Sequence, residues 1–166
     1  RMVLGLGSNL GDRAENIAAA IEALAADPRL GVGAASPLYE TPPAGGPPQG
    51  DYLNGAVLLA ATCSAREVLE RCLKVERSLG RIRPDPVRWG PRTIDVDLLW
   101  IEGETASEAD LEVPHPRLAE RPFALRPLLD LAPDAVDPRT GGRYDGLPAA
   151  RAALRKYGDP IRARAR

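Results

Sequence analysis

The sequence predicts an α+β fold, and three observations carry that prediction. Four short apolar stretches of strand character and two stretches of helical period follow one another in the order β-α-β-β-α-β. Prolines cluster in two segments between these stretches, TPPAGGPPQGD and GRIRPDPVRWGPR. At 166 residues the chain reads as one domain, long enough to bury a core and too short for two ordinary domains.

Met2 to Leu6 is an apolar run that ends in GSNLGDR, where Asn9 or Asp12 can cap a following helix. From Arg13 to Ala26 the residues Ile17, Ala20, Ile21 and Leu24 recur at helical spacing, and Pro28 stops the helix. Leu30 to Thr41 reads as a second strand. It runs into TPPAGGPPQGD, which holds too many prolines and glycines for a helix or a central strand and is a long surface loop. Tyr52, Asn54, Val57 and Leu59 resume a strand. Ser64 or Thr62 then caps a helix over Ala65 to Leu79, with a broad apolar stripe of Val68, Leu69, Cys72, Leu73, Val75 and Leu79. Glu76 stands among these and, taken alone, reads as a solvated position.

GRIRPDPVRWGPR, Gly80 to Arg92, excludes regular structure and carries Arg81, Arg83, Arg88 and Arg92 with the lone aromatic Trp89. It leads into a strand over Thr93 to Ile101. Alternation there sets Asp95 and Asp97 on one face, ~7 Å apart by strand rise, with Ile94, Val96 and Leu98 facing the core. Two like charges on one face repel, and a cation between them keeps both ionised. Acidic metal ligands beside arginines on a loop are the parts that phosphoryl transfer needs, because metal and guanidinium both neutralise phosphate oxygens.

Glu102 to Glu104 is a polar turn, and Leu111 to Val113 pairs back as a short strand before PHPRLAERPF. His115, the only histidine, lies there between two prolines with Arg117 and Arg121 near it. Phe123 to Leu131 is a short apolar helix, Asp137 to Tyr144 is turn-rich, and Leu147 to Tyr157 fits a surface helix that packs Leu147, Ala150 and Leu154. The basic end IRARAR reads as a solvated tail.

A formal net charge of -1 supplies no global basic field and argues against a nonspecific nucleic-acid binder. Cys63 and Cys72 lack metal or redox spacing and fit a reducing, cytosolic compartment. The longest apolar run, Ala56 to Ala61, falls far short of the ~20 residues of a membrane span, and no signal peptide opens the chain, so no membrane partner is expected. The residues alone leave open a DxD nucleotidyl- or glycosyltransferase and a noncatalytic binding module.

Four stretches narrow the choice: GLGSNLGDR, YETPPAGGPPQGDYLN, GRIR followed by RWGPRTIDVDLLW, and VPHPRLAERPFALRPLLDLAP. Together, and in this order, they resemble the 6-hydroxymethyl-7,8-dihydropterin pyrophosphokinases of folate biosynthesis, from about Val3 to Pro133. Beyond Pro133 the resemblance fades, and residues 134–166 are read by pattern alone. The resemblance implies a ferredoxin-like antiparallel sheet with helices packed on it. It also implies transfer of pyrophosphate from ATP to the pterin hydroxymethyl group with release of AMP; separately, a cytoplasmic protein acting as a monomer is expected.

By position, the resemblance implies that Asp95 and Asp97 hold two Mg²⁺ ions. Arg81 and Arg83 match arginines of a closing catalytic loop. Arg92, His115 and Arg121 match phosphate contacts and Glu76 a position near the nucleotide; Trp89 lies on the closing loop, where it is expected to help seal the nucleotide site. Tyr52 and Phe123 match two aromatics that sandwich the pterin. Asn54 and the backbone from Thr41 to Ala44 match the groups that read its edge. Pro84 and Pro116 depart from members that carry a basic residue and a tyrosine there, and Ala44 is small where some members have a larger apolar residue.

Overall fold

In the computed structural model, which describes residues 1–159, five strands are hydrogen-bonded side by side and a sixth pairs off the path. β1 (Met2–Ser8) lies between β5 (Asp95–Ile101) and β4 (Tyr52–Ala61), and β4 is flanked in turn by β3 (Leu38–Thr41) and then β8 (Arg155–Gly158). β2 (Leu30–Ala35) also pairs with β4, and every pairing in the sheet is antiparallel. With α1 (Arg13–Ala25), α2 (Ala65–Ser78) and α3 (Pro122–Leu131) packed on it, this is the ferredoxin-like α+β arrangement.

The alternation of β1 divides the molecule into two cores. Met2, Leu4 and Leu6 point to one face, where Ile17, Ile21 and Leu24 of α1 and Val68, Cys72 and Val75 of α2 close over them. Val3 points to the other, with Leu99, Trp100, Leu125 and Leu128. Ile94, Val96 and Leu98 join the helical face as expected. Asp95 and Asp97 therefore share the α3 face, at the end of the sheet where no side chain from Gly5 or Gly7 fills the space.

The helices begin where the sequence places them. Asp12 accepts a hydrogen bond from the Glu15 amide at 3.1 Å, capping α1. Ser64 and Glu67 form a reciprocal capping box at the start of α2. Pro122 occupies the first turn of α3, where a missing N–H costs nothing.

Two expectations are corrected. The single strand over Leu30 to Thr41 is two strands, because Pro37 has no N–H for the ladder, while Ser36 bridges the break: its amide donates to the Ala56 carbonyl and its Oγ accepts from the Ala56 amide, both at 2.9 Å. The helix over Leu147 to Tyr157 is a 3-10 turn at Pro148–Arg151 followed by β8. Its spacing is helical, but β3 offers an open edge, and pairing with it satisfies more backbone groups than an isolated helix on the surface. Leu111–Val113 forms β7 and pairs with β6 (Ala106–Glu108) in a separate two-stranded ribbon. The basic end read as a tail lies outside the described residues.

Candidate active site

Glycine makes the floor of the site. In the pairing of β1 with β5, Gly5 stands opposite Asp97 and Gly7 opposite Asp95; on the other side of β1, Gly7 stands opposite Asn54. A Cβ at Gly5 would come within 3.0 Å of the Leu99 side chain, and one at Gly7 within 3.0 Å of Asn54 Oδ1. Both carboxylates thus rise beside bare backbone into a cavity of about 370 Å³. The alternate glycines Gly5 and Gly7 at the end of an apolar strand are the sequence signal of this floor.

Ten of the residues singled out in the sequence line this cavity: Thr41, Ala44, Tyr52, Asn54, Trp89, Arg92, Asp95, Asp97, Arg121 and Phe123. Four do not. Glu76 and Arg81 lie buried outside its lining, Arg83 pairs with Glu76, and His115 accepts a hydrogen bond from the amide of Arg117, which does line it. Arg117, Gln49 and the two glycines are lining residues that the sequence reading did not assign.

The arginines and carboxylates form a closed ring. Arg81 Nη1 donates to Asp95 Oδ1 at 2.8 Å and Arg81 Nε to Asp85 Oδ1 at 3.0 Å. Arg92 Nη1 donates to Asp95 Oδ2 at 3.1 Å and Arg92 Nη2 to Asp85 Oδ2 at 2.9 Å. Arg92 Nε is buried and has no hydrogen-bond partner among the described residues. Asp85, absent from the sequence reading, closes the ring.

Asp97 stands apart from the ring and makes no side-chain hydrogen bond or ion pair among the described residues. Burial, then the neighbouring charges of Asp95 and Glu76, push its carboxyl up to about 8. This is the group that most needs a cation.

Glu76 is not solvated. Its side chain is fully buried, accepts from the Val96 amide at 2.9 Å, and pairs with Arg83 at 2.8 Å. Burial raises its pKa, which the hydrogen bond from Val96 opposes. β5 is an edge strand, so Glu76 supplies an acceptor where no strand does. A single acidic residue in an apolar helical stripe carries no sequence mark of that partner, which lies 20 residues away.

Three loops meet over the cavity through two amides. Asn9 Nδ2 donates to Gln49 Oε1 at 2.8 Å, while Asn9 Oδ1 accepts from the Arg92 amide at 2.9 Å. Gln49 Nε2 donates to the Trp89 carbonyl at 2.8 Å. Trp89 adopts φ 58 and lies against Gly46, where a Cβ would meet the Trp89 carbonyl oxygen at 2.3 Å. Asn9, read as a possible cap, instead joins the loops. Deeper, Asn54 Nδ2 donates to Thr41 Oγ1 at 2.7 Å. At the mouth, the Arg121 guanidinium lies 5.5 Å from the centre of the Phe123 ring. His115 Nδ1 accepts from the Arg117 amide at 3.1 Å, and burial and Arg121 lower its pKa.

Fold and cavity together define a class, that of α+β proteins that hold a highly charged, oxygen-rich group against a flat apolar one. The comparison with known proteins carries this to a family. The sequence pattern of the 7,8-dihydro-6-hydroxymethylpterin-pyrophosphokinase family (HPPK) matches residues 3–133, and the chain belongs to that family. A protein of Methylorubrum extorquens named 2-amino-4-hydroxy-6-hydroxymethyldihydropteridine pyrophosphokinase is 47% identical over 136 residues, covering 82% of this chain and 85% of the relative. Relatives of the same name in Synechocystis sp. (44% identical, 84% of this chain, 70% of the relative) and Bacillus subtilis (38%, 86% and 84%) agree.

Proposed function

We propose that the chain transfers pyrophosphate from ATP to the hydroxymethyl group of 6-hydroxymethyl-7,8-dihydropterin, as a Mg²⁺-dependent enzyme of folate biosynthesis. The observation that carries the reading is that Asp95 and Asp97, the ring arginine Arg92 and the two aromatics Tyr52 and Phe123 all border one cavity. Family membership supports ATP and a divalent metal as its partners.

The donor set fits that metal. Among the described residues there is no group of three or more His, Cys, Asp or Glu side chains that could hold an ion. Two carboxylates therefore leave the remaining positions to phosphate oxygens and water, which is how Mg²⁺ is commonly held in nucleotide sites. The partnerless Asp97 carboxylate supports the same reading. Bound Mg²⁺, taken as two ions, would neutralise the triphosphate and polarise the attacking hydroxyl.

In the reaction the hydroxymethyl oxygen bonds to the β-phosphorus and loses its proton, and the bond from that phosphorus to the oxygen bridging to the α-phosphate breaks, releasing AMP. Tyr52 and Phe123 hold the pterin ring by its faces. Asn54, Thr41 and the backbone to Ala44 read its polar edge, so an analogue without the matching donors leaves them unpaired. Arg92, with its free Nε, and Arg121 bind phosphate oxygens, joined by Arg117 from the mouth. His115, accepting at Nδ1, carries its proton on Nε2 and donates from there. Arg81 and Arg83 act from the loop and Glu76 fixes their base, while Trp89 helps exclude water. We read the chain as one domain working as a cytoplasmic monomer; among the described residues no helix is long and apolar enough to cross a membrane.

Incubation with ATP, Mg²⁺ and the hydroxymethyl dihydropterin is expected to yield AMP and the pterin diphosphate. ADP as the nucleotide product would overturn the assignment.

A further inference from the structure

Asp85 has no place in the chemistry above, yet it touches both guanidiniums of the ring. It is half-buried on the loop between Pro84 and Pro86, with one oxygen 3.0 Å from Arg81 Nε and the other 2.9 Å from Arg92 Nη2. Burial would raise its pKa, but the hydrogen bonds from Arg81 and the charges of Arg81 and Arg92 hold it below the ordinary value, so it is an anion at neutral pH. A carboxylate bridging two arginines uses the same forked donors that a phosphate group uses. Asp95, the other anion of the ring, is fixed on a strand, whereas Asp85 is borne by a segment without regular structure.

We propose that Asp85 is a positioning residue that acts as a built-in competitor of phosphate: it occupies Arg81 and Arg92 while the site is empty, and the triphosphate must displace it to engage them. The inference rests on the reading of this cavity as an ATP site. Two consequences follow from the geometry. The arginines are kept near their working positions without facing each other's charge unscreened. Part of the attraction between arginines and nucleotide is spent on breaking the Asp85 pairs, which weakens ATP binding and eases departure of the phosphorylated products.

The test compares the parent protein with Asp85→Asn and Asp85→Glu by calorimetric titration of Mg²⁺ and a nonhydrolysable ATP analogue, with steady-state KM values alongside. Asp85→Asn keeps the shape and removes the charge, so the dissociation constant for the analogue is expected to fall about tenfold, the loss of two partly buried ion pairs. Asp85→Glu keeps the charge and is expected to bind as the parent does. KM for ATP falls with Asp85→Asn while KM for the pterin holds, a split that a general loss of structure would not give. Weaker binding by Asp85→Asn overturns the proposal by showing that Asp85 organises the arginines for ATP; unchanged binding overturns it by showing no competition. A parent protein that fails to bind the analogue sinks the ATP reading itself. Melting curves of both variants without ligand establish that the loop substitution leaves the fold intact.

Discussion

Asp97 is the residue at which the fold works against itself. Its carboxyl lies on the same strand face as Asp95, beside Glu76 beneath, and its pKa stands at about 8 against an ordinary 3.8. A group whose folded pKa is raised holds its proton in the native state over that whole interval. Its contribution to stability is therefore fully present below about pH 4 and is lost as pH rises through about 8. In chelator, the parent protein is expected to melt at a lower temperature at about pH 9 than at about pH 6, and Asp97→Asn to remove much of that difference. Differential scanning calorimetry across the range decides it; an equal slope in the variant would show that other groups set the profile. On the proposed metal-holding role, the same substitution is expected to lower kcat by about 10²- to 10³-fold, because charge developing in the transition state would lose its stabilising cation.

Among the elements, α2 and β5 share a core and are also joined by one buried polar side chain. Glu76 gives the edge strand an acceptor at Val96 and takes Arg83 in return, with Arg81 Nη1 at 3.6 Å. Glu76→Ala leaves the buried Val96 N–H unpaired and strips Arg83 of its partner, and is expected to destabilise the protein by about 1–3 kcal/mol in urea unfolding. Glu76→Gln keeps an acceptor for Val96 and should lose less; equal losses would place the cost in packing instead. This clasp also marks where the sequence stops being legible. Elements set by local period and caps, such as α1 behind Asp12 and α2 behind Ser64, follow from the residues directly. The strand alternation gave the shared face of Asp95 and Asp97. Glu76, Asn9 and Asp85 could not be read that way, because each is defined by a partner from another part of the chain or across a loop. β8 was missed for the same reason: Leu147, Ala150 and Leu154 recur at helical spacing, while the open edge of β3 and the Arg155–Glu40 pair at 3.4 Å exist only once the sheet is assembled.

Across the whole molecule the charge is nearly balanced, at -1 with a pI of about 5.9, but it is not evenly spread. Away from the cavity, arginines meet acids within short reach: Arg1 with Glu102 and Asp134, Arg66 with Glu108 and Asp110, Arg143 with Asp145. Arg117 and Arg121, which line the cavity, form no ion pair among the described residues, and neither do Arg77, Arg88, Arg126 and Arg151 outside it. The unpaired charge of Arg117 and Arg121 thus stands at the cavity of a protein that is acidic as a whole. An anionic nucleotide feels it at short range, where salt screens it as the Debye length shortens from ~30 Å at 0.01 M to ~3 Å at 1 M ionic strength. An uncharged pterin held by ring faces and hydrogen bonds does not. Raising potassium chloride at fixed free Mg²⁺ is expected to increase KM for ATP several-fold over about 0.05 to 0.5 M and to leave KM for the pterin nearly constant. Parallel rises would point to a salt effect on the loops that both substrates share through Asn9 and Gln49, and a flat response for both would mean that the arginines meet the triphosphate only after water has been excluded.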